Sequence, residues 1–130
     1  MKFSTKAEYG LRAMVRLARN KAKEPYSLAQ IAREEHISLA YLERLLARLK
    51  RAGLVLSTKG VSGGYKLSRA PEKISIGEVF VALEGSLAPY KCVGAGVFCS
   101  ARGCATKVVW QKLQKAVEKT LNSIKLKDLI

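Results

Sequence analysis

The three cysteines of this 130-residue chain are the residues best suited to chemistry, because all of them fall in one short stretch. Cys92, Cys99 and Cys104 follow the spacing C-x6-C-x4-C, with glycines between them. Three thiolates in one loop suit a soft metal or an iron–sulfur cluster. The spacing differs from the C-x2-C pairs of structural zinc sites. It therefore favours a cluster only slightly over a three-thiolate zinc site or a set of bare redox thiols.

The expected compartment bears on these thiols. No apolar run approaches the roughly 20 residues of a membrane helix, and the N-terminus lacks the apolar core of a secretory signal. We therefore expect a cytoplasmic protein with no membrane partner, whose cysteines stay reduced. An odd number of cysteines also leaves one thiol unpaired in any disulfide scheme. Metal, cluster or redox chemistry is the expectation, not a structural disulfide.

The charge balance indicates a polyanionic partner. The chain carries 24 Lys and Arg against 10 Asp and Glu, a formal net charge of +14. Residues 1–75 hold 16 bases and 6 acids, whereas residues 76–130 hold 8 and 4. Nucleic acid is the simplest partner for such a surface. General solubility and a membrane-surface patch are the alternatives.

Helical periodicity in the first half predicts the elements that position a DNA reader. Ser27 and Gln30 have the spacing of a capping box, and His36 occupies a tight turn between the second and third helices. We interpret His36 as the turn residue with positive φ and not as a ligand. Two helices joined in this way are typical of a helix-turn-helix. The expected helices span residues 7–22, 27–35 and 38–52.

The remaining elements complete a winged helix. Strands over residues 54–57 and 65–68 flank a glycine-rich loop, which predicts a hairpin, and Ser75 caps a helix over residues 76–84. A long helix over residues 106–123 has a seam with nearly heptad spacing, formed by Trp110, Leu113, Val117, Leu121 and Ile124. We expect the seam to pack on a second copy; packing on its own domain is the alternative.

The predicted fold is therefore mostly α with a small β-hairpin wing, a winged helix-turn-helix followed by a C-terminal dimerisation helix. The predicted division is a DNA-binding domain (1–75), a linker helix with the cysteine loop (76–105) and the dimerisation helix with the C-terminus (106–130). A helix-turn-helix dimer reads two half-sites, so double-stranded DNA and a second copy are the expected partners. No catalytic dyad stands out, and we expect no enzyme.

The third predicted helix should enter the major groove with its N-terminal residues at the base edges. Arg44 has the donors for guanine, and Glu43 can accept from cytosine N4 and reject other bases. Lys50 and the other basic residues later in the helix are expected to contact phosphates. Lys59 at the wing tip is expected to reach the minor groove. The predicted DNA-binding residues are Ser38, Ala40, Tyr41, Glu43, Arg44, Arg48, Arg51 and Lys59.

Several motifs together resemble the bacterial winged-helix family typified by the iron–sulfur cluster regulator IscR. They extend over nearly the whole chain. They are Ser4-Thr5-Lys6-Ala7-Glu8-Tyr9-Gly10-Leu11-Arg12-Ala13, Ile37-Ser38, Tyr41-Leu42-Glu43, Gly63-Gly64-Tyr65-Lys66-Leu67, Ile76-Gly77-Glu78-Val79, and the three cysteines followed by Trp110.

The resemblance implies a homodimeric transcription regulator of cluster-biogenesis genes. It implies an iron–sulfur cluster, 2Fe–2S more often than 4Fe–4S, on Cys92, Cys99 and Cys104, and it matches Glu43 to the residue that gates promoter choice. The chain departs from the pattern at Lys107, where such members carry a histidine ligand, and at Val61-Ser62 in the wing. Glu8 of the partner subunit is the candidate fourth ligand; a helix N-terminal acid is its alternative role. A nitric-oxide-responsive or a redox- or metal-responsive repressor of the same family, with or without a cluster, is the alternative function.

Overall fold

A computed structural model describes residues 2–21, 24–60, 63–89 and 104–130. These ranges are mostly helical with one two-stranded antiparallel hairpin, as predicted. Short 3-10 helices follow the hairpin and end the chain. None of the described helices is long and apolar enough to cross a membrane. The main elements are α1 (Thr5–Arg19), α2 (Leu28–Glu35), α3 (Leu39–Arg51), β1 (Val55–Thr58), β2 (Gly64–Leu67), α4 (Ile76–Glu84) and α5 (Lys107–Ser123).

Helix α1 starts and ends earlier than residues 7–22, the range predicted from its apolar periodicity. The Ser4 hydroxyl accepts a hydrogen bond from the Lys6 amide at 3.2 Å, so Ser4 is the N-cap. At the other end Asn20 leaves the helical conformation, while its amide still bonds to carbonyls of the preceding turn. Ala22, the predicted last residue, lies outside the described residues. The apolar periodicity located the buried stripe only in part: Met14 and Ala18 are buried and Leu11 and Val15 half-buried, while the buried face also includes Leu17. Polar caps set the two ends.

Helix α2 begins after Ser27 as predicted, but the predicted capping box is wrong. The Ser27 side chain forms no capping hydrogen bond. The Gln30 side-chain amide faces the next turn of the helix, where its Nε2 atom donates to Glu34 Oε1 at 2.9 Å. His36 adopts φ 55°, which confirms its interpretation as the turn residue. The Ile37 amide bonds back to the last turn of α2 at 3.1 Å, which closes a Schellman motif.

The junction between α3 and the wing explains a shift of one residue in the hairpin. Gly53 adopts φ 78°, and the Leu54 amide donates to the Leu49 carbonyl of α3 at 3.0 Å. Leu54 thus belongs to the end of the helix, and β1 starts at Val55. The register pairs Val55 with Leu67, so the strands run over 55–58 and 64–67 and not over 54–57 and 65–68.

One hydrophobic core joins the first four helices and the C-terminal 3-10 helix. Leu46 of α3, Val79 and Leu83 of α4, and Leu126 are all fully buried in it. The core therefore continues across residue 75, and the predicted division at residues 75 and 105 stays a prediction. The Ser75 cap of α4 is confirmed, with a reciprocal capping box to Glu78.

Helix α5 is attached to this core mainly by its C-terminal end. The Ile76 amide donates to the Ile124 carbonyl at 2.8 Å, and the Leu126 amide donates to the Ile74 carbonyl at 2.9 Å. Leu121 and Ile124 pack against the chain's own core. The prediction of one continuous seam facing a second copy is therefore wrong for these two residues, because the attachment turns them inward.

Candidate nucleic-acid interface and thiol site

Helix α3 presents a continuous exposed face opposite its buried stripe. Its leucines Leu42, Leu45, Leu46 and Leu49 are at most 1% exposed, which fixes the helix and leaves the opposite side open. The Ser38 hydroxyl accepts from the Tyr41 amide at 3.1 Å and caps the helix. All the predicted contacts on this helix are exposed except Tyr41, which is half-buried: Ser38, Ala40, Tyr41, Glu43, Arg44, Arg48, Lys50 and Arg51.

Glu43 is a single carboxylate on this basic surface. It is exposed and forms no ion pair or hydrogen bond with the described residues. Its i+4 neighbour is Ala47, so the helix supplies no partner. An exposed carboxylate without a partner has free oxygen atoms that can accept a hydrogen bond from a base amino group.

An aromatic junction holds the start of α3 against the start of α1. The rings of Tyr41 and Tyr9 meet edge to face with centroids 6.3 Å apart. The Tyr41 hydroxyl lies 3.2 Å from the Thr5 Oγ1 atom, within hydrogen-bond distance. The Arg44 guanidinium lies 6.0 Å from the Tyr41 ring centroid, a cation–π distance. Tyr41 therefore fixes the position of α3 in addition to its predicted place at the DNA.

Arg48 lies on the same helix but bonds to α4. Its Nη1 atom donates to the Leu83 carbonyl oxygen at 3.3 Å. Leu83 belongs to the last turn of α4, where carbonyls lack partners within the helix. One guanidinium nitrogen of Arg48 is thus used inside the chain. Arg51, one turn further, forms no such bond with the described residues.

The wing carries Lys59 exposed at its tip. Its base is tied to the chain before α2, since Tyr26 and Tyr65 exchange backbone hydrogen bonds of 2.8 and 2.9 Å. A Cβ atom on Gly64 would lie 2.2 Å from the Tyr26 carbonyl oxygen, so this approach requires glycine. The wing is therefore fixed relative to the helix-turn-helix. Val61-Ser62, the departure from the family pattern, lies outside the described residues.

Glu8, the candidate fourth ligand, is engaged within α1. Its Oε1 atom accepts from Arg12 Nε at 2.7 Å, and its side chain is 61% exposed. Arg12 also reaches Glu35 at 3.5 Å, and Arg16 Nε lies 2.6 Å from another oxygen of Glu35. These ion pairs link α1 to α2. Ligation by Glu8 would require its carboxylate to leave or share Arg12.

Cys104 is the one predicted cysteine ligand within the described residues, and Cys92 and Cys99 lie outside them. Its Sγ atom lies 3.2 Å from the Thr106 hydroxyl oxygen. The hydrogen bond with that hydroxyl, followed by bonds from the backbone amides of Thr106 and Lys107, lowers the pKa of the Cys104 thiol. The start of α5 thus favours the thiolate, which is the metal-binding form. No group of three ligand side chains comes together in the described part of the chain.

A cavity is lined by residues that precede and follow the cysteine stretch in the sequence. It has a volume of about 380 Å³ and is bounded by the N-terminal segment, the end of α4 and the start of α5. Glu84 lines it and accepts hydrogen bonds from the Ser4 amide, at 2.9 Å, and from the Ser4 hydroxyl. Burial acts to raise the pKa of Glu84, but the Ser4 bonds outweigh it, and the pKa is lowered. The carboxylate therefore stays charged at neutral pH.

Three residues that the sequence analysis did not single out complete these sites. Thr106 had a local signal, since a hydroxyl side chain two positions after a cysteine precedes a predicted helix. Thr5 and Leu83 had none. Their partners Tyr41 and Arg48 lie 36 and 35 positions away in the sequence.

Comparison with known proteins identifies the family. The family model described as Rrf2, iron-dependent transcriptional regulator, matches residues 3–130. The HTH-type transcriptional regulator IscR of Vibrio vulnificus is 38% identical over 130 residues, which cover 100% of this chain and 77% of that protein.

Solved structures agree with this match. The structure of T. potens IscR is 42% identical with a TM-score of 0.77, over 99% of this chain and 85% of that one. The structure of CymR, the global cysteine regulator of B. subtilis, is 36% identical with a TM-score of 0.82, over 99% of this chain and 95% of that one. This chain belongs to the Rrf2 family of transcriptional regulators, which bind DNA and are not enzymes.

Proposed function

We propose that this protein senses iron–sulfur cluster status through Cys92, Cys99 and Cys104 and controls cluster-biogenesis genes. The observation that carries the proposal is the grouping of every thiol of the chain just before α5, with hydrogen bonds that favour the Cys104 thiolate. Soft thiolate donors fit an iron–sulfur cluster, which supplies redox-active iron when bound. Similarity to two IscR proteins supports this choice. The family resemblance of the sequence motifs is the reason to propose 2Fe–2S before 4Fe–4S.

The fourth ligand is proposed to be Glu8 of the partner subunit. Lys107 stands where IscR-like members carry a histidine, and a protonated lysine cannot ligate iron. Glu8 is well exposed, and a carboxylate is an available oxygen donor once it leaves Arg12.

The protein is proposed to act as a homodimer on double-stranded DNA. Val109 and Leu113 of α5 are 57% and 37% exposed, and such apolar side chains are expected to be covered by a second copy. Glu43 and Arg44 are assigned to base edges, Arg51 to phosphate and Lys59 to the minor groove. The exposed face of α3 and the basic first half of the chain support these assignments.

Anaerobic purification tests the cluster. The wild-type protein should be brown and contain iron and inorganic sulfide, and Cys92→Ser, Cys99→Ser and Cys104→Ser should each lose them. Lys107→Ala is the matched control and should retain both. Lys107→His should slow cluster loss in air, because it restores a nitrogen ligand. A colourless wild-type protein with stoichiometric zinc would rule the cluster out.

Binding-site selection tests the DNA assignments. Glu43→Ala should relax the preference for the base at one position of the site. Arg51→Ala should lower the affinity for all duplexes alike and reduce the slope of log affinity against log salt concentration by about one. Unchanged preference in Glu43→Ala would contradict the role of Glu43.

A second function has a specific observation in its favour. CymR, a cysteine regulator, has a TM-score of 0.82 to this chain, and Lys107 removes the usual histidine ligand. The thiols would then act in a cluster-free redox or metal repressor. An iron-free protein whose DNA affinity changes reversibly with thiol oxidation would establish this function. Retention of a 4Fe–4S spectrum that nitric oxide bleaches would instead identify a nitric-oxide-responsive regulator.

A further inference from the structure

The last turn of α4 precedes the cysteine stretch in the sequence and forms hydrogen bonds to α3 and to the start of α1. Leu83 and Glu84 end the helix, and Gly85 follows with φ 82°. Cys92 comes only eight positions after Glu84 in the sequence. This turn therefore belongs to the helix that immediately precedes the cysteines along the chain.

One contact joins this turn directly to the middle of α3. Arg48 Nη1 donates to the Leu83 carbonyl at 3.3 Å. Leu83 is fully buried, so its backbone position is set by the core. A shift at the end of α4 therefore acts on α3 through Arg48.

A second contact joins the same turn to the start of α3 through α1. Glu84 Oε1 accepts from the Ser4 amide at 2.9 Å and from the Ser4 hydroxyl. Ser4 is the N-cap of α1, and the next residue, Thr5, lies 3.2 Å from the Tyr41 hydroxyl. Glu84 is thus linked to Tyr41 through two consecutive residues.

Close packing makes these links stiff. A Cβ atom on Gly10 would lie 2.3 Å from Leu83 Cδ1, so α4 sits directly on the backbone of α1. Tyr41 and Arg48 are seven residues apart, which is about 10 Å along a helix. Helix α3 is held at Tyr41 by α1 and at Arg48 by α4, so its orientation should follow the positions of these two helices.

We propose that Arg48 and Glu84 are positioning residues that couple the cysteine stretch to the orientation of α3 through the last turn of α4. This proposal deepens the sensing function proposed above and rests on it. Arg48 then differs from Arg51: both add positive charge to α3, but only Arg48 bonds to the Leu83 carbonyl.

Energetic coupling is reciprocal, so DNA should change the reactivity of the thiols. The test uses the full-length, metal-free, reduced protein and a duplex selected with the wild type, at concentrations that saturate each variant. The rate of thiol alkylation by iodoacetamide is measured with and without DNA. In the wild type DNA should change this rate about fivefold or more. In Arg48→Met the change should disappear, whereas Arg51→Met, which loses the same charge, should retain it.

A second pair of variants guards against loss of folding. Glu84→Ala should also abolish the effect of DNA on alkylation, and Glu72→Ala, an exposed acid outside the contact, should not. Cooperative thermal unfolding of each variant shows that it is folded. Equal behaviour of Arg48→Met and Arg51→Met, or a wild-type rate that DNA leaves unchanged, would overturn the coupling. Iron and sulfide are measured on the anaerobically purified protein before the metal is removed. Absence of both at that stage would refute the cluster proposal, while a DNA effect on alkylation in the metal-free protein would still support the coupling.

Discussion

Helices α3 and α5 have similar apolar periodicity but opposite burial. The leucine stripe of α3 is at most 1% exposed, whereas α5 has no buried residue and its Val109 is 57% exposed. Periodicity identifies the face of a helix that requires cover. It does not say whether the same chain or another molecule supplies that cover.

The starts of the two helices differ in the same sense. The Ser38 hydroxyl caps α3 through the Tyr41 amide, while Thr106 makes no capping bond and lies instead beside the Cys104 thiol. Helix α3 is thus capped and buried by residues of its own chain. Helix α5 is held by its own chain only at its C-terminal end, and the hydroxyl at its start lies beside the Cys104 thiol.

The largest expected effect is a difference in unfolding free energy between a core substitution in α3 and a matching substitution in α5. Leu46→Ala should lower the free energy of unfolding by about 2–5 kcal/mol, because it leaves a cavity in the core. Leu113→Ala in α5 should cost much less in a single chain, since Leu113 is 37% exposed. Urea unfolding at two protein concentrations checks this. Equal losses in both variants, independent of concentration, would erase the contrast between the helices.

The next effect concerns what covers α5. Leu113→Glu should weaken dimerisation by about 2 kcal/mol, or roughly 30-fold in Kd, because a charge would enter an apolar interface. Leu56→Glu on the wing is the matched control, since Leu56 is also exposed, at 48%. Light scattering after size exclusion gives the masses. A wild-type monomer, or a Leu113→Glu dimer as stable as the wild type, would show that a second copy does not cover this face.

A smaller effect compares the two helix starts. Ser38→Ala should cost about 1 kcal/mol of unfolding free energy, because the Tyr41 amide loses its acceptor. Thr106→Ala should leave stability unchanged, because Thr106 caps nothing. Thermal unfolding of the two variants measures both values. A loss in Thr106→Ala as large as that in Ser38→Ala would mean that both helix starts are stabilised alike.

The correct sequence predictions are those set by local chemistry. The positive φ of His36 follows from its place in a tight turn, and the Ser75 cap follows from a hydroxyl before an apolar stripe. The capping box predicted at Ser27 is absent, and the Gln30 side chain bonds instead to Glu34, one turn along the helix. Local rules thus located the elements to within a few residues.

The missed features depend on contacts between distant parts of the chain. The residues near Arg48 in the sequence do not predict its hydrogen bond to the Leu83 carbonyl, 35 positions away. The partial burial of Leu121 and Ile124 follows from the attachment of the C-terminal end beside Ser75, which periodicity cannot reveal. The thiol site was predicted from residue type and spacing, and it stays a prediction. Only the environment of Cys104 was added by the structure.

The smallest expected effect lies at the attached end of α5 and depends on pH. The Ser75 hydroxyl donates to Asn122 of α5 at 3.4 Å, and Ser75 shares a capping box with Glu78. Burial acts to raise the pKa of Glu78, but hydrogen bonds from Arg69, at 2.8 Å, and from the Ser75 amide outweigh it. The pKa of Glu78 is therefore lowered in the folded protein.

A lowered folded pKa contributes stability that is present at neutral pH and is lost as the pH falls below about 4.3, the ordinary glutamate pKa. Glu78→Gln can still form the capping box but loses the charge. It should be less stable than the wild type by a few tenths of a kcal/mol at neutral pH, since the Arg69 pair is partly exposed. The gap should begin to shrink as the pH falls through about 4.3 and should close only below the lowered folded pKa, as urea unfolding across the acid range would show. Arg69→Gln should remove the larger share of this pH-dependent part, and the hydrogen bond from the Ser75 amide should account for the rest. If the gap stays constant with pH, the stability of this end comes from the neutral cap and not from the charge.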